Sequence, residues 1–154
     1  LAVNVRGNYL MSVRAARAMA GQGGGAIVIT ASTAALLGDE SMAAYNASKA
    51  AAAQLARSLA VDLAPRNVRV NAVAPGWVDT PQNVDVRDDP VAWGAHRLRV
   101  PMDRMARAEE VAAAMVFLLS DEASYITGAI LMVDGGLTAG LRSPFPRADP
   151  RGAG

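Results

Sequence analysis

The sequence has no cysteine and only one histidine, His96. The lack of cysteine excludes disulfide bonds and cysteine-ligated metals, and it is typical of proteins of the reducing cytoplasm, where we expect this one to be located. Two acidic pairs, Asp88 with Asp89 and Glu109 with Glu110, have no histidine at metal-ligand spacing. We therefore expect no metal site, and we interpret these side chains as solvated or helix-start charges.

The sequence also lacks an excess of one charge and a long hydrophobic run. Its 15 basic and 14 acidic residues leave a net charge of +1, which does not favour a nucleic acid or an anionic membrane as partner. The longest strongly apolar run, residues 111–119, is far shorter than the roughly 20 residues that span a bilayer, so it is interpreted as a buried helix. The length of 154 residues and the 52% hydrophobic content suit one globular domain.

Helical and strand patterns alternate along the chain. Apolar spacing predicts helices over residues 4–20, 42–64 and 108–119. Short runs rich in β-branched residues, bounded by turn signals, predict buried strands over residues 26–32, 68–76 and 128–136. The order αβαβαβ predicts an α/β fold with a parallel sheet and right-handed crossovers.

Two further segments stand apart from this alternation. The polar, proline-containing stretch 79–105, with a short helix over residues 91–99, is predicted to act as a lid or binding loop. Residues 138–154 contain several prolines and arginines and are predicted to be a disordered tail, so that residues 1–137 form the domain. The opening "LAVNVRGNYL" has no signal-peptide pattern and reads as the interior of a longer sequence.

Tyr45 and Lys49 lie one turn apart near the start of the second predicted helix, so both side chains project from one face. A phenol has an unperturbed pKa of about 10, and an ammonium about 4 Å away at an effective dielectric near 20 contributes roughly 4 kcal/mol. That interaction would lower the pKa of the phenol to near 7, where acid/base catalysis works best. The alternative, a packed ring beside a snorkelling amine, is favoured by the bare spacing.

Ser32 adds a second polar group to this pair. It lies at the carboxyl end of a predicted parallel strand, which is where open α/β sheets bind ligands. A hydroxyl at this position can donate a hydrogen bond to a substrate oxygen and stabilise developing charge. Its alternative role is that of an ordinary turn or helix-capping serine.

Five motifs in a fixed order resemble those of the short-chain dehydrogenases/reductases: "LAVNVRGNYL", "GGAIVITAST", "AAYNASKAA", "VRVNAVAPGWVDTP" and "LLSDEASYITGAILMVDGG". The resemblance covers residues 1–137. It implies the C-terminal half of a three-layer, Rossmann-like, doubly wound parallel sheet. It also implies hydride transfer between NAD or NADP and a small carbonyl or alcohol substrate.

The resemblance implies a role for each motif residue. Tyr45 would donate or accept the proton, and Lys49 would lower its pKa and bind the nicotinamide ribose. Ser32 would orient the substrate oxygen. Asn4 would hold a water that links Lys49 to solvent, its plain alternative being a helix-start cap. Four residues would line the nicotinamide side of the site: Pro75, Gly76, Val78 and Thr80.

Other candidate residues carry weaker signals. Trp77 follows the Pro-Gly turn, and the sequence leaves it open between a wall of the substrate site and simple packing. His96 lies in the predicted lid and is interpreted as a solvated surface residue. The stretch "GQGGGA", residues 21–26, resembles a phosphate loop but precedes a strand, whereas a dinucleotide turn follows a strand and opens a helix. We interpret it as a turn.

The family's glycine-rich cofactor motif and its NAD/NADP selector residue have no counterpart in the sequence. We therefore expect the chain alone to bind dinucleotide poorly and the strand over residues 26–32 to form an exposed edge. One alternative is a truncated, inactive module that still forms a homo-oligomer, a dimer or tetramer. The resemblance implies that the first two helices pack between the subunits of such an oligomer. A third is a helix-rich binding domain with no active site.

Overall fold

A computed structural model of the protein describes residues 1–140. These residues form five strands: β1 (Gly25–Thr30), β2 (Val68–Pro75), β3 (Val78–Asp79), β4 (Ala106–Arg107) and β5 (Ile130–Val133). They also form five α-helices: α1 (Asn8–Ala20), α2 (Ala43–Leu63), α3 (Val84–Arg87), α4 (Pro90–Arg97) and α5 (Ala108–Leu119). The tail prediction lies mostly outside the described residues and stays a prediction.

The main sheet is parallel and has the strand order β1-β2-β5, which confirms the predicted α/β arrangement. The register pairs Gly25 with Val68 on one side of β2 and Ala72 with Ile130 on the other. Within residues 1–140, β1 pairs with β2 alone, so it forms the expected edge. The long crossover connections that parallel strands require are supplied by α2 and α5.

Helices cover both faces of the sheet, as the three-layer prediction requires. On one face, α1 and α2 pack against the strands through a core of mostly small side chains. The alanines of α2 that face the sheet, Ala52, Ala53, Ala56 and Ala60, are all buried and let helix and sheet pack closely. On the other face, α5 contributes Val111 and Leu118 to a second cluster.

Proline and asparagine end α2. Pro65 lies in a 3-10 turn directly after the helix, because its missing N–H and its ring cannot continue the α-helical pattern. Asn67 follows with φ +57°, a left-handed conformation that asparagine tolerates. Its Nδ2 donates a hydrogen bond to the carbonyl of Gly23, 2.9 Å away, so the glycine run packs against it as a turn that leads into β1.

The predicted lid, residues 79–105, differs in detail from the sequence-based expectation. It contains α3 and α4, and the helix predicted over residues 91–99 is α4, Pro90–Arg97. Its two ends are joined by a second, two-stranded sheet, in which Val78 pairs with Ala106 and Asp79 with Arg107. This small sheet was not predicted. It joins the two ends of the lid, and we refer to its two strands, β3 and β4, as the neck of the lid.

The first predicted helix also begins differently. Residues Ala2–Gly7 form a π-helical stretch that continues into α1. The first strand ends at Thr30 rather than at position 32, because Ser32 already caps a 3-10 turn. No helix within residues 1–140 combines the length and apolar character needed to cross a bilayer.

Two polar side chains of β2 hold the segment that precedes β5. Asn71 is fully buried; its Nδ2 donates to the carbonyl of Ile126 (2.9 Å) and its Oδ1 accepts from the backbone N–H of Ala129 (3.0 Å). The Arg69 guanidinium donates to the carbonyls of Leu118 (2.8 Å) and Ser120 (2.9 Å) at the end of α5. These bonds satisfy carbonyl groups that a helix end leaves unpaired.

We predict that Asn71→Leu lowers the free energy of unfolding by about 1–3 kcal/mol, because it leaves the backbone N–H of Ala129 without its partner and the carbonyl of Ile126 with only the 3.3 Å bond from Arg69. Urea unfolding followed by circular dichroism measures this change. Gln54→Leu on the exposed side of α2 is the matched control, with an expected change within about 0.5 kcal/mol. Equal effects of the two substitutions would contradict the anchoring role of Asn71.

Candidate active site

Tyr45 and Lys49 lie in the first two turns of α2, beside the carboxyl end of β1. The Lys49 Nζ is 5.7 Å from the centre of the Tyr45 ring, so the two side chains share one helix face as predicted. The same Nζ donates a hydrogen bond to the carbonyl of Thr30, 3.2 Å away. The last residue of β1 therefore fixes the ammonium next to the phenol.

Partial burial lowers the pKa of Lys49 below its ordinary value of 10.5, because the charged ammonium loses solvation. Lys49 is also the single lysine of the sequence, since 14 of the 15 basic residues are arginines. Lysine, unlike arginine, changes its protonation readily when it is partly buried. The site thus holds the one lysine of the sequence, whose amine can lose its proton, whereas the arginines stay charged.

A chain of hydrogen bonds links the start of the protein to α2. The Asn4 Nδ2 donates to the Ser48 Oγ (3.0 Å), and the Ser48 hydroxyl donates to the carbonyl of Tyr45 (2.7 Å). The carbonyl of Asn4 accepts from the Asn8 Nδ2 (2.8 Å). Asn4 lies inside the π-helical stretch and caps neither it nor α1, so its interpretation as a helix-start cap is wrong. Single π-helical turns are frequent at functional sites.

Ser48 is a site residue that sequence reasoning missed. It is buried between α1 and α2, directly before Lys49, and it positions Asn4 against the turn that carries Tyr45. Its position three residues after Tyr45 and directly before Lys49 was the available signal. It acts on Tyr45 through the backbone, so we describe it as a positioning residue.

Ser32 lies two residues beyond the end of β1, which confirms its predicted place at the carboxyl edge of the sheet. Its backbone is extended, with φ −170°, and its Oγ accepts a hydrogen bond from the N–H of Ala34 at 3.2 Å. The capping alternative is therefore also realised. An oxygen that accepts from the backbone keeps its own proton to donate, so the capping bond fixes the hydroxyl without consuming its donor.

The segment from Pro75 to Thr80 leaves the sheet at the end of β2. The N–H of Gly76 donates to the carbonyl of Val133 (3.0 Å), and a Cβ at position 76 would lie 3.0 Å from the backbone of Asp134. Only glycine leaves that space. Val78 belongs to the neck of the lid, and Thr80 opens a 3-10 turn without a capping bond from its side chain.

Trp77 contacts two rings of α4. Its ring centre lies 4.3 Å from that of His96, with a tilt of 45°, and 6.5 Å from that of Trp93 in an edge-on arrangement. Trp77 thus packs against the lid, and its role as a wall of the substrate site stays a prediction.

The interpretation of His96 as a solvated residue is wrong, since its half-buried ring stacks on Trp77. Burial, followed by the charge of Arg99, lowers the pKa of His96.

The acidic groups of the described residues take structural roles. No cluster of three or more acidic or histidine side chains suited to a metal ion occurs within residues 1–140. Glu110 accepts hydrogen bonds from the Arg104 guanidinium at 2.7 Å and from the N–H of Arg107 at 2.8 Å, and its pKa is lowered to about 2. It anchors the neck of the lid at the start of α5.

Comparison with known proteins identifies the family. A family model described as enoyl-(acyl carrier protein) reductase matches residues 1–138. The chain is 46% identical over 137 residues to the cis-4-hydroxycyclohexanecarboxylate dehydrogenase of Sinomonas cyclohexanicum, and 45% identical over 140 residues to the galactitol 2-dehydrogenase (L-tagatose-forming) of Cereibacter sphaeroides. The chain belongs to the short-chain dehydrogenase/reductase family.

A solved structure gives the same result for the fold. The gluconate 5-dehydrogenase of Burkholderia cenocepacia, in complex with NADP and tartrate, matches with a TM-score of 0.87 and 31% identity, over 90% of this chain and 55% of that chain. The two relatives named above are covered over 54% and 55% of their length, against 89% and 90% of this chain. The chain spans about half the length of the proteins it matches.

We predict that Lys49 reacts with acetic anhydride at lower pH than an ordinary lysine. Because its pKa is lowered, a larger fraction of its amine is free at any pH below 10.5. Mass spectrometry of the peptide that contains Lys49, after labelling across a pH series, gives the midpoint. A synthetic peptide of residues 43–55 is the control, and a midpoint in the protein equal to or above that of the peptide would contradict the prediction.

Proposed function

We propose that the whole protein is an NAD- or NADP-dependent oxidoreductase that interconverts a small alcohol and the corresponding carbonyl compound, with Tyr45 as general acid/base. The observation that carries the proposal is the contact between Tyr45 and a partly buried Lys49 at the carboxyl edge of the sheet. Ser32 lies at the same edge, at the end of β1. A phenol beside an ammonium can donate and accept a proton in acid/base catalysis.

The groups at this edge fit the nicotinamide end of a dinucleotide. The Lys49 ammonium has three donors, of which Thr30 takes one, so two remain for ribose hydroxyls. Gly76 keeps the end of β2 free of a side chain. The cofactor, when bound, supplies or accepts the hydride, and Pro75, Gly76, Val78 and Thr80 would line its nicotinamide side.

The protein's own residues would handle orientation and the proton. Ser32 donates its hydroxyl proton to the substrate oxygen and holds that oxygen near Tyr45. In alcohol oxidation the phenolate oxygen of Tyr45 accepts the substrate hydroxyl proton, and in carbonyl reduction the phenol returns it. The ammonium of Lys49 stabilises the phenolate. Asn4, through Ser48, fixes the turn of α2 that carries Tyr45, and in the resemblance it would also hold a water for proton exchange with solvent.

The relatives indicate a class of substrates to test. One of them is named for a cyclic hydroxy acid and another for a sugar alcohol, and the matched structure holds tartrate together with NADP. All of these molecules carry secondary hydroxyl groups. We therefore propose a secondary alcohol as substrate, with Trp77 as a wall of its site and the lid above it. A cytoplasmic location remains a prediction.

The groove between α1 and α2 supports the oligomerisation part of the alternative function, a module that assembles without catalysis. A cavity of about 450 Å³ lies between the two helices. Its lining is mainly apolar, with Arg17, Arg66 and Asp62 among the residues around it. This surface suits a second copy of the chain, a dimer or tetramer, whether or not the protein is active.

We predict that Tyr45→Phe lowers kcat at least 100-fold in the protein expressed from its full reading frame, because it removes the exchangeable phenolic proton. Oxidation of a panel of secondary alcohols with NAD and with NADP, followed by absorbance of the reduced nicotinamide, measures this. Tyr125→Phe, at a fully exposed position, is the matched control and should leave kcat unchanged. Unchanged turnover in Tyr45→Phe would show that the ring only packs.

We also predict that the 154-residue chain binds dinucleotide poorly, whereas the full-length protein binds it in the micromolar range. The reason is that the glycine run of this chain leads into β1 instead of following a strand, so it offers no helix N-terminus to the phosphates. Calorimetric titration of both proteins with NADH and NADPH tests this. Micromolar binding by the short chain would contradict the prediction, and no binding by the full-length protein would contradict the enzyme.

A further inference from the structure

Arg99 lies between the lid and the segment that leads into α2. Its Nη1 is 3.8 Å from the Oδ1 of Asp39, in the stretch that joins Ser32 to Tyr45. The carbonyl of Asp39 accepts a hydrogen bond from the N–H of Met42, the residue before α2. The ion pair therefore connects the far end of α4 to the first turn of the catalytic helix.

The guanidinium of Arg99 has N–H groups that are not engaged in hydrogen bonds within residues 1–140. A distance of 3.8 Å is too long for a hydrogen bond, and among residues 1–140 its guanidinium makes none. Two neighbouring arginines are engaged: Arg97 is hydrogen-bonded to Asp103, and Arg104 makes two bonds of 2.7 Å to Glu110. A guanidinium carries five N–H groups, and its side chain here is 52% exposed, so it is free to take another acceptor.

An aromatic surface adjoins this cation. The backbone N–H of Arg99 donates to the carbonyl of His96, whose ring stacks on Trp77. The charges of Arg99 and of Asp39 both act on the His96 ring. Trp77 in turn follows directly on Gly76, at the nicotinamide side of the site. The lid thus presents an aromatic wall that ends in the guanidinium of Arg99, which makes no hydrogen bond within residues 1–140.

We propose that Arg99 is a specificity-determining residue that binds a carboxylate on the substrate, while the carbon skeleton of the substrate lies against Trp77 and His96. This inference rests on the proposed function. Planar guanidinium and carboxylate groups form two parallel hydrogen bonds, a geometry that the Asp39 contact lacks. Asp39 holds the guanidinium in place until a substrate carboxylate replaces it.

A simple ionic latch between Arg99 and Asp39 is the competing explanation. A latch would keep the lid closed over any substrate, charged or neutral. Loss of either partner would then impair all substrates alike. A carboxylate-binding arginine predicts instead that the two substitutions act in opposite directions, and only on anionic substrates.

The test compares cis-4-hydroxycyclohexanecarboxylate with its neutral carboxamide in the full-length protein. We expect the wild-type protein to favour the carboxylate at least tenfold in kcat/KM. We expect Arg99→Gln to raise KM for the carboxylate about 10- to 100-fold, with less than a twofold change in kcat or in either constant for the carboxamide. Arg97→Gln, two residues away and bonded to Asp103, is the matched control and should change neither substrate.

A second variant distinguishes carboxylate binding by Arg99 from an ionic latch between Arg99 and Asp39. Asp39→Asn removes the competitor, so KM for the carboxylate should fall or stay equal, whereas a latch predicts that KM rises for both substrates. A wild-type protein that oxidises neutral alcohols without preferring the carboxylate would overturn the role of Arg99 and leave the proposed function intact. Absence of turnover with every secondary alcohol, with either cofactor, would overturn both.

Discussion

Burial of the strand β2 is the constraint on which the other features depend. It pairs with β1 on one side and β5 on the other, and helices cover both of its faces. All five consecutive residues at positions 70–74 have no exposed surface on either face, which is why four of them are apolar without alternation. Asn71 is the polar exception, and it is tolerated because both ends of its amide are hydrogen-bonded. With β2 fixed, the Pro-Gly turn at its end lies at the carboxyl edge of the sheet, where the N–H of Gly76 donates to the carbonyl of Val133.

The candidate site consists of groups from separate segments, and each group is held by a hydrogen bond. Lys49 donates to the end of β1, and Ser32 accepts from the turn that follows β1. Asn4 is linked to the carbonyl of Tyr45 through Ser48, so the π-helical stretch is tied to the first turns of α2. Such supporting bonds restrict the side chains more strongly than packing of alanines could. The proton exchange that we propose for this site depends on that restriction.

Much of this arrangement could be predicted from the sequence. Short runs rich in β-branched residues and bounded by turn signals predicted the three main strands. The spacing of Tyr45 and Lys49 predicted that their side chains share one helix face. The two-residue strands β3 and β4 escaped prediction because a pairing of two residues leaves no periodic pattern. The π-helical start and the role of Ser48 depend on a contact 44 positions away. The partial burial of His96 was not predicted, because a polar residue is expected to be exposed. Its contact with Trp77 depends on the path of the lid, which no periodic pattern in the sequence indicates.

Arginine and lysine occupy different kinds of position in this protein. Arginine supplies every positive side chain except one, and three exposed arginines of the lid, Arg87, Arg97 and Arg104, are paired with Asp79, Asp88, Asp103 and Glu110. Arginine is suited to these pairs because it is always charged and its planar fork matches a carboxylate. At position 49 the requirement is different: a compact ammonium that reaches a backbone carbonyl, lies over a phenol ring and gives up its proton more readily when partly buried. A guanidinium would keep its charge at any accessible pH. The lone lysine therefore supports the acid/base role that we propose for Tyr45.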